Sequence, residues 1–309
     1  MKKLFGVTVA MITPLDEDGR IMEAAVRKHV DFLIAKGVNC LYPGGTTGEM
    51  YLLSVSQRKK LAETVVQQAA GRVTVFIHAG AMAQSDTIEL ARHAAKIGAD
   101  GIGVVTPSFF TAGDREMEEY FVAVSRSVPA DFPMYLYNIP QCSTNDLKAE
   151  VIERVVNRAS NVIGVKYSFV NMYRAAEYMK INNGNFSVLM GEDRLLTEVL
   201  SMGGDGVVSG SASVYPEPLV ALYKAFKEGN LTEARKQETL ATEIFNLLKN
   251  GNMAYFKAAL KMRGIDAGHM QKPLLDLPEV ETAELRVKLQ KYLGDCRSPA
   301  GQNVIISKK

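Results

Sequence analysis

Short apolar runs alternate along the chain with stretches whose apolar positions recur every three or four residues. The runs lie at 6–12, 39–42, 73–78, 101–105, 133–137, 162–165, 187–190 and 206–208. Each is rich in β-branched residues or ends at Gly, Pro or Thr, as a strand buried on both faces of a parallel sheet should. Between the runs, residues 22–36 place Met22, Val26, Val30, Leu33 and Ile34 on one helical face, and 54–70, 83–97, 116–128 and 145–157 repeat that spacing. Gly37, Gly71 and Gly98 stand where helices are expected to end in a left-handed cap. A glycine followed two residues on by Asn or Asp recurs between helix and strand, in Gly37-Val38-Asn39, Gly98-Ala99-Asp100 and Gly203-Gly204-Asp205.

Eight strands alternating with helices predict an α/β fold, a (β/α)8 TIM barrel. An open doubly wound sheet is the alternative. It would offer a nucleotide loop after its first strand, and Met11-Ile12-Thr13-Pro14-Leu15-Asp16 is no such loop. From about residue 228 the strand pattern stops. Residues 231–249, 252–263 and 279–293 read as helices, with a break at 272–278. The expected organisation is a catalytic barrel over 1–227 and a C-terminal helical extension over 228–309 packed on it. The polar tail 301–309 is expected to be loose.

Composition narrows the class of function. Of 309 residues, 47% are hydrophobic and 23% charged, which excludes disorder or a coiled-coil rod. The balance of 36 basic to 34 acidic residues argues against a nucleic-acid partner, which calls for a basic stripe. No apolar run approaches a membrane span. The start, Met1-Lys2-Lys3, leads to Pro14 and Asp16 without a small-residue cleavage site, so no secretory signal is expected. Cys40, Cys142 and Cys296 are scattered and read as reduced thiols in the cytoplasm. No His or Cys spacing suits a metal.

In a barrel, chemistry sits at the carboxyl ends of the strands. The sixth strand ends Gly164-Val165-Lys166. Lys166 either marks where the strand reaches solvent or is an amine in a low-dielectric mouth, able to attack a carbonyl. By alternation Tyr135 and Tyr137 share one face of the fifth strand. If that face is inner, Tyr137 brings a proton-shuttling phenol beside Lys166; otherwise it is a packed tyrosine. Gly44-Gly45-Thr46-Thr47-Gly48-Glu49 is either a glycine-rich turn or a cradle for a carboxylate. Loops at 191–194 and 209–213 raise a phosphate-binding barrel as a rival. Glu192 and Asp193 at that mouth suit sugar hydroxyls better than phosphate. His78, ending the third strand, is a further candidate for substrate contact.

Together Gly45-Thr46-Thr47-Gly48-Glu49, Tyr137-Asn138-Ile139-Pro140 and Gly164-Val165-Lys166 resemble the dihydrodipicolinate synthase / N-acetylneuraminate lyase family. The resemblance also covers Val9–Pro14, Val105-Thr106-Pro107 and Phe256-Lys257-Ala258-Ala259-Leu260-Lys261. It implies a class I aldolase acting on pyruvate without metal or organic cofactor, usually as a homotetramer. Lys166 is then the Schiff-base lysine, Tyr137 the proton carrier and Thr46 part of a hydroxyl relay. Thr47 and neighbouring backbone N–H groups hold the carboxylate, and Gly45, Ser168, Gly191, Asp193 and Val208 complete the substrate-binding set.

Three positions depart from the family and bear on specificity. The synthases' arginine after the Tyr-Asn-x-Pro motif is matched by Cys142, and a thiol cannot replace a bidentate guanidinium. The relay tyrosine usually lent to a neighbouring subunit is matched by Phe110. The lyases' serine after strand eight is matched by Gly210, whereas Leu41-Tyr42-Pro43-Gly44-Gly45 and Asp193 lean towards the lyases. The expected partners are pyruvate and a small aldehyde or sugar acid. The alternatives are 4-hydroxy-tetrahydrodipicolinate synthase and a non-catalytic 2-keto-acid-binding member of the fold.

Overall fold

The computed structural model of the chain describes residues 1–295. The tail expected to be loose, and Cys296, lie outside the described residues. Eight parallel strands close into a barrel: β1 (Gly6–Ala10), β2 (Cys40–Tyr42), β3 (Thr74–His78), β4 (Gly101–Val105), β5 (Met134–Asn138), β6 (Val162–Tyr167), β7 (Ser187–Met190) and β8 (Gly206–Ser209). Each pairs with the next, and β8 closes on β1 through Thr8–Val208 and its neighbours.

The helices between them are α1 (Glu23–Ala35), α2 (Val55–Ala69), α3 (Gln84–Lys96), α4 (Asp114–Ser125), the short α5 (Pro140–Ser143), α6 (Ala149–Arg158), α7 (Met172–Lys180), α8 (Leu196–Ser201) and α9 (Glu217–Lys227). The stretch read as one helix at 145–157 begins only at Ala149, and α5 precedes it. Thr144, at a φ of 66°, ends α5, and Lys148 is extended before α6. Beyond the barrel come α10 (Leu231–Leu247), α11 (Met253–Met262) and α12 (Glu279–Asp295).

The recurrent glycine motif has a physical explanation. Gly37 and Gly98 have φ values of 80° and 78°, which end the preceding helices in the left-handed region. The polar residue that follows caps a neighbouring strand. Asn39 Oδ1 accepts from the Val7 N–H at 2.8 Å, Asp100 Oδ2 from Val75 at 2.8 Å and Asp205 Oδ2 from Val188 at 3.2 Å. These bonds satisfy N–H groups that the slanted parallel ladder leaves free at its lower rim.

Alternation along the strands separates two cores. Outward residues such as Val7, Val9, Leu41, Ile77, Val104 and Leu136 pack under the helices. Inward residues Cys40, Tyr42, Phe76, Tyr135, Leu189 and Val208 fill the barrel. The large inner rings fit because small residues oppose them. A Cβ on Gly164 would overlap the Tyr135 ring and sit 2.6 Å from the Ser187 carbonyl oxygen. Gly164→Ala is therefore expected to cost about 3 kcal/mol through overpacking, read as a fall in the urea midpoint without a change of slope.

A third core joins the barrel to the C-terminal helices, with Ile12, Val214 and Tyr215 against Ile244, Leu248, Phe256, Leu260, Leu285 and Leu289. Among the described residues no helix is long and apolar enough to cross a membrane.

Candidate active site

Lys166 lies on the inner face of β6, two residues beyond Gly164, and is only 4% exposed. Register pairs it with Tyr137 on β5. Its Nζ sits 4.1 Å from the centre of the Tyr137 ring and 5.3 Å from that of Tyr42. Two electron-rich ring faces thus seat the amine, an arrangement that accommodates positive charge on nitrogen without a bonded carboxylate. The Tyr137 hydroxyl is 3.2 Å from Thr46 Oγ1. Thr46–Gly48 is a single 3-10 turn entered from extended Gly45, so its first N–H groups have no partner within the turn. Its Gly48 carbonyl is pinned by the Thr13 hydroxyl at 2.9 Å.

The other side of the mouth is acidic and hydroxylic. Asp193 is buried and accepts a short hydrogen bond from Ser211 Oγ, and Ser209 Oγ lies 3.4 Å from Ser211 Oγ. Burial pushes the Asp193 carboxyl above its ordinary range, and the serine bonds and the Lys166 charge pull it back. Glu192, expected beside Asp193 at the mouth, is paired with Arg194, Nε to Oε1 at 2.7 Å, and its charge adds to the upward push on the Asp193 carboxyl.

His78 is buried edge-on to Tyr137, with ring centres 5.9 Å apart. Behind it the Arg58 guanidinium, also buried, reaches the His78 carbonyl at 2.7 Å, the Gly80 carbonyl at 2.7 Å and the His78 Nδ1 at 3.2 Å. Burial, then the charges of Arg58 and Lys166, hold the imidazole well below its ordinary pKa, so His78 is neutral. Burial also lowers Arg58, to about 10, which leaves it charged.

The residues singled out from sequence fall into two groups. Lys166, Tyr137 and Thr46 converge in one cluster. Thr47 stands close to Gly210, where an added Cβ would lie 3.1 Å from Thr47 Oγ1 and 3.1 Å from the Phe256 ring. Ser168 follows β6, donates its N–H to the Asn138 carbonyl at 2.9 Å and packs so tightly on Gly191 that a Cβ there would overlap its hydroxyl. Val208 belongs to the inner layer with Tyr42.

Phe110 and Cys142 are exposed, whereas Lys166 and Tyr137 are buried. Phe110 is 76% exposed and stacks edge-to-face on Phe109, itself 74% exposed with a φ of 74°. Cys142 is an exposed thiol on α5. Tyr167 packs behind β6 on Tyr178, while Phe169 stays partly exposed.

Sequence reasoning did not single out the Tyr42 ring, Arg58, or a buried ion pair between Glu49 and Lys257. Tyr42 had a usable signal, since alternation places it on the same face as Cys40. Arg58 had none, because an arginine on an amphipathic helix reads as surface.

An amine at this mouth can condense with a ketone, and the adjoining phenol can move a proton on and off the adduct. That is the chemistry of a carbon–carbon lyase or aldolase. Comparison with known proteins agrees: the chain belongs to the dihydrodipicolinate synthetase family, whose model it matches over residues 3–292. It is 34% identical over 297 residues to a 4-hydroxy-tetrahydrodipicolinate synthase of Methanothrix thermoacetophila, covering 94% of this chain and 99% of that one. It is 35% identical to a probable 2-dehydro-3-deoxy-D-pentonate aldolase of Escherichia coli, over 76% of this chain and 78% of the relative. Among solved structures it superposes with a TM-score of 0.88 on a prophage protein of the dihydrodipicolinic acid synthase family from Escherichia coli, in complex with pyruvate. Identity there is 29%, with 94% of this chain and 99% of the other covered. The chain is an enzyme of the lyase and aldolase class.

Proposed function

We propose that the protein is a pyruvate-dependent class I aldolase in which Lys166 forms the Schiff base. The observation that carries this is the cluster itself: Lys166 Nζ 4.1 Å from the Tyr137 ring centre, with the Tyr137 hydroxyl 3.2 Å from Thr46 Oγ1. The free amine adds to C2 of pyruvate, the carbonyl oxygen departs as water, and an iminium remains. Loss of a C3 proton gives the enamine, whose C3 attacks an aldehyde carbon. The new alkoxide takes a proton, and water releases the product from Lys166. Cleavage of a 4-hydroxy-2-keto acid runs the same steps backwards. Tyr137 carries the proton, relayed through Thr46, while Thr47 and the turn's N–H groups hold the carboxylate.

For the second substrate we favour a hydroxylated aldehyde, or in reverse a 2-keto-3-deoxy sugar acid. The buried Asp193–Ser211 pair supports it, since a carboxylate backed by hydroxyls accepts hydrogen bonds from sugar hydroxyls. The exposed Cys142 supports it too, because a synthase must grip a second carboxylate there and a thiol offers no charge. The reading has residues 1–227 as the catalytic barrel and 228–309 as its C-terminal extension, whose described helices pack on the barrel. It has the enzyme working in the cytoplasm as a homotetramer, a dimer of dimers, and the exposed Phe109 and Phe110 support a face covered by a second copy.

The test is intact-mass spectrometry after incubation with pyruvate and sodium borohydride. The expected result is a single reduced pyruvate adduct on Lys166. A folded protein that takes up no adduct refutes the reading. With the adduct in hand, release of pyruvate is expected from 2-keto-3-deoxy sugar acids.

A further inference from the structure

The loop that carries Thr46 and Thr47 ends on Glu49, whose φ of 62° and ψ of 36° put a glutamate in the left-handed region. Residues with a side chain adopt that conformation only at a cost, so something must hold it there. The holding group comes from the C-terminal extension. The Glu49 side chain is fully buried, and Lys257 Nζ on α11 lies 2.7 Å from its Oε1. The second carboxylate oxygen, Oε2, accepts the Gln271 N–H at 2.6 Å. Lys257 in turn donates to the His269 carbonyl, in the strap that runs from α11 towards α12. The strap is itself locked: the Leu15 carbonyl accepts the His269 N–H at 2.8 Å, and Asp276 accepts from the Met270 N–H at 2.7 Å.

A second observation places the same helix against the other end of the loop. Phe256, next to Lys257, lies beside Gly210, and a Cβ on Gly210 would stand 3.1 Å from both the Phe256 ring and Thr47 Oγ1. Two adjacent side chains of α11 thus face the loop, Lys257 bonded to Glu49 and Phe256 flanking Gly210 on the side where Thr47 lies. The turn between them has little freedom left, because the Glu49 N–H is bonded to the Thr46 carbonyl at 3.0 Å and Gly48 to Thr13.

We infer that the Glu49–Lys257 ion pair is a positioning device for substrate carboxylate, by which α11 sets the orientation of Thr47 and the neighbouring N–H groups. The inference rests on the aldolase reading and adds to it a role for the extension. Neither residue touches the reacting atoms. Their loss loosens the carboxylate grip while Lys166 and Tyr137, on strands, keep their places.

Lys257→Met leaves a buried carboxylate unpaired, so the Glu49→Gln/Lys257→Met double variant, which buries no charge, is measured beside it. The readout is the concentration of pyruvate, and of its methyl ester, that half-saturates borohydride trapping. A shift on the order of tenfold is expected for pyruvate in both variants, from displacement of the carboxylate-binding groups. Half-saturation by the ester, which lacks the charge, is expected to stay within about twofold.

Equal weakening of both ligands, or an unchanged pyruvate value in a folded double variant, overturns the inference. Failure of both variants to fold assigns the pair to stability alone and overturns it as well. Absence of trapping in the wild type removes the aldolase reading, and this inference with it. Normal wild-type trapping with unshifted variants removes this inference only.

Discussion

Lys166→Met is expected to lose turnover by about 10⁴ or more while the protein stays folded and melts no lower than the wild type. Both halves follow from the same burial. Lys166 is 4% exposed, on the inner face of the barrel, and its nitrogen faces ring faces rather than a bonded carboxylate. Methionine fills nearly the same volume and brings no charge. Replacing a buried ionisable group by an apolar one of similar size is neutral or stabilising, so the melting temperature should hold or rise by about 2 °C. The nucleophile is nevertheless gone, and with it the borohydride-trapped adduct. Calorimetry, intact mass and a pyruvate-release assay on the same sample check the three statements together. A variant that keeps the adduct places the imine on another lysine. A variant that melts far below the wild type makes Lys166 a structural residue.

How much of this was legible in the sequence depends on the range of the interaction. The eight strands were readable because a strand buried on both faces is a continuous apolar run, and the polar residue before it has a local task, as Asn39, Asp100 and Asp205 show. Helices α7, α8 and α9 were not picked out. Of these, α8 has only six residues and presents no long periodic face, whereas α9 does carry one, in Leu219, Leu222 and Ala225 after a first-turn Pro218, and was legible. Lys166 stood out because a cation at the end of an apolar strand breaks the local pattern. The pairing of Tyr137 with Thr46 needed closure of the barrel, which brings β2 and β5 to one mouth although they are not neighbours in the sheet.

The Glu49–Lys257 pair joins the second strand's loop to a helix beyond the barrel, and nothing local in either segment announces the other. Arg58 shows the opposite failure. Its place in a polar helical pattern predicts exposure, yet three carbonyl oxygens and His78 draw it inward. Its two terminal nitrogens find acceptors as they would on carboxylates, while the buried Nε is left without a partner among the described residues.

Tyr137→Phe separates binding from proton transfer. Phenylalanine keeps the ring that lies 4.1 Å from Lys166 Nζ and keeps its packing with His78, so the amine retains its seat. What disappears is the hydroxyl, 3.2 Å from Thr46 Oγ1, that can give a proton to the departing water and take one in the carbon–carbon step. Removing a general acid–base group costs about 10²–10⁴ in rate. The variant is therefore expected to trap pyruvate to completion given time, while steady-state cleavage of a 2-keto-3-deoxy acid falls within that range. Thr46→Val should fall less, by about tenfold, because it leaves the phenol in place and a water can stand in for the hydroxyl. The order matters as much as the size. Trapping retained with turnover lost assigns Tyr137 to proton transfer; turnover within threefold of wild type transfers that role elsewhere. Of the neighbouring groups, neutral His78 against the Tyr137 ring would be the next to substitute.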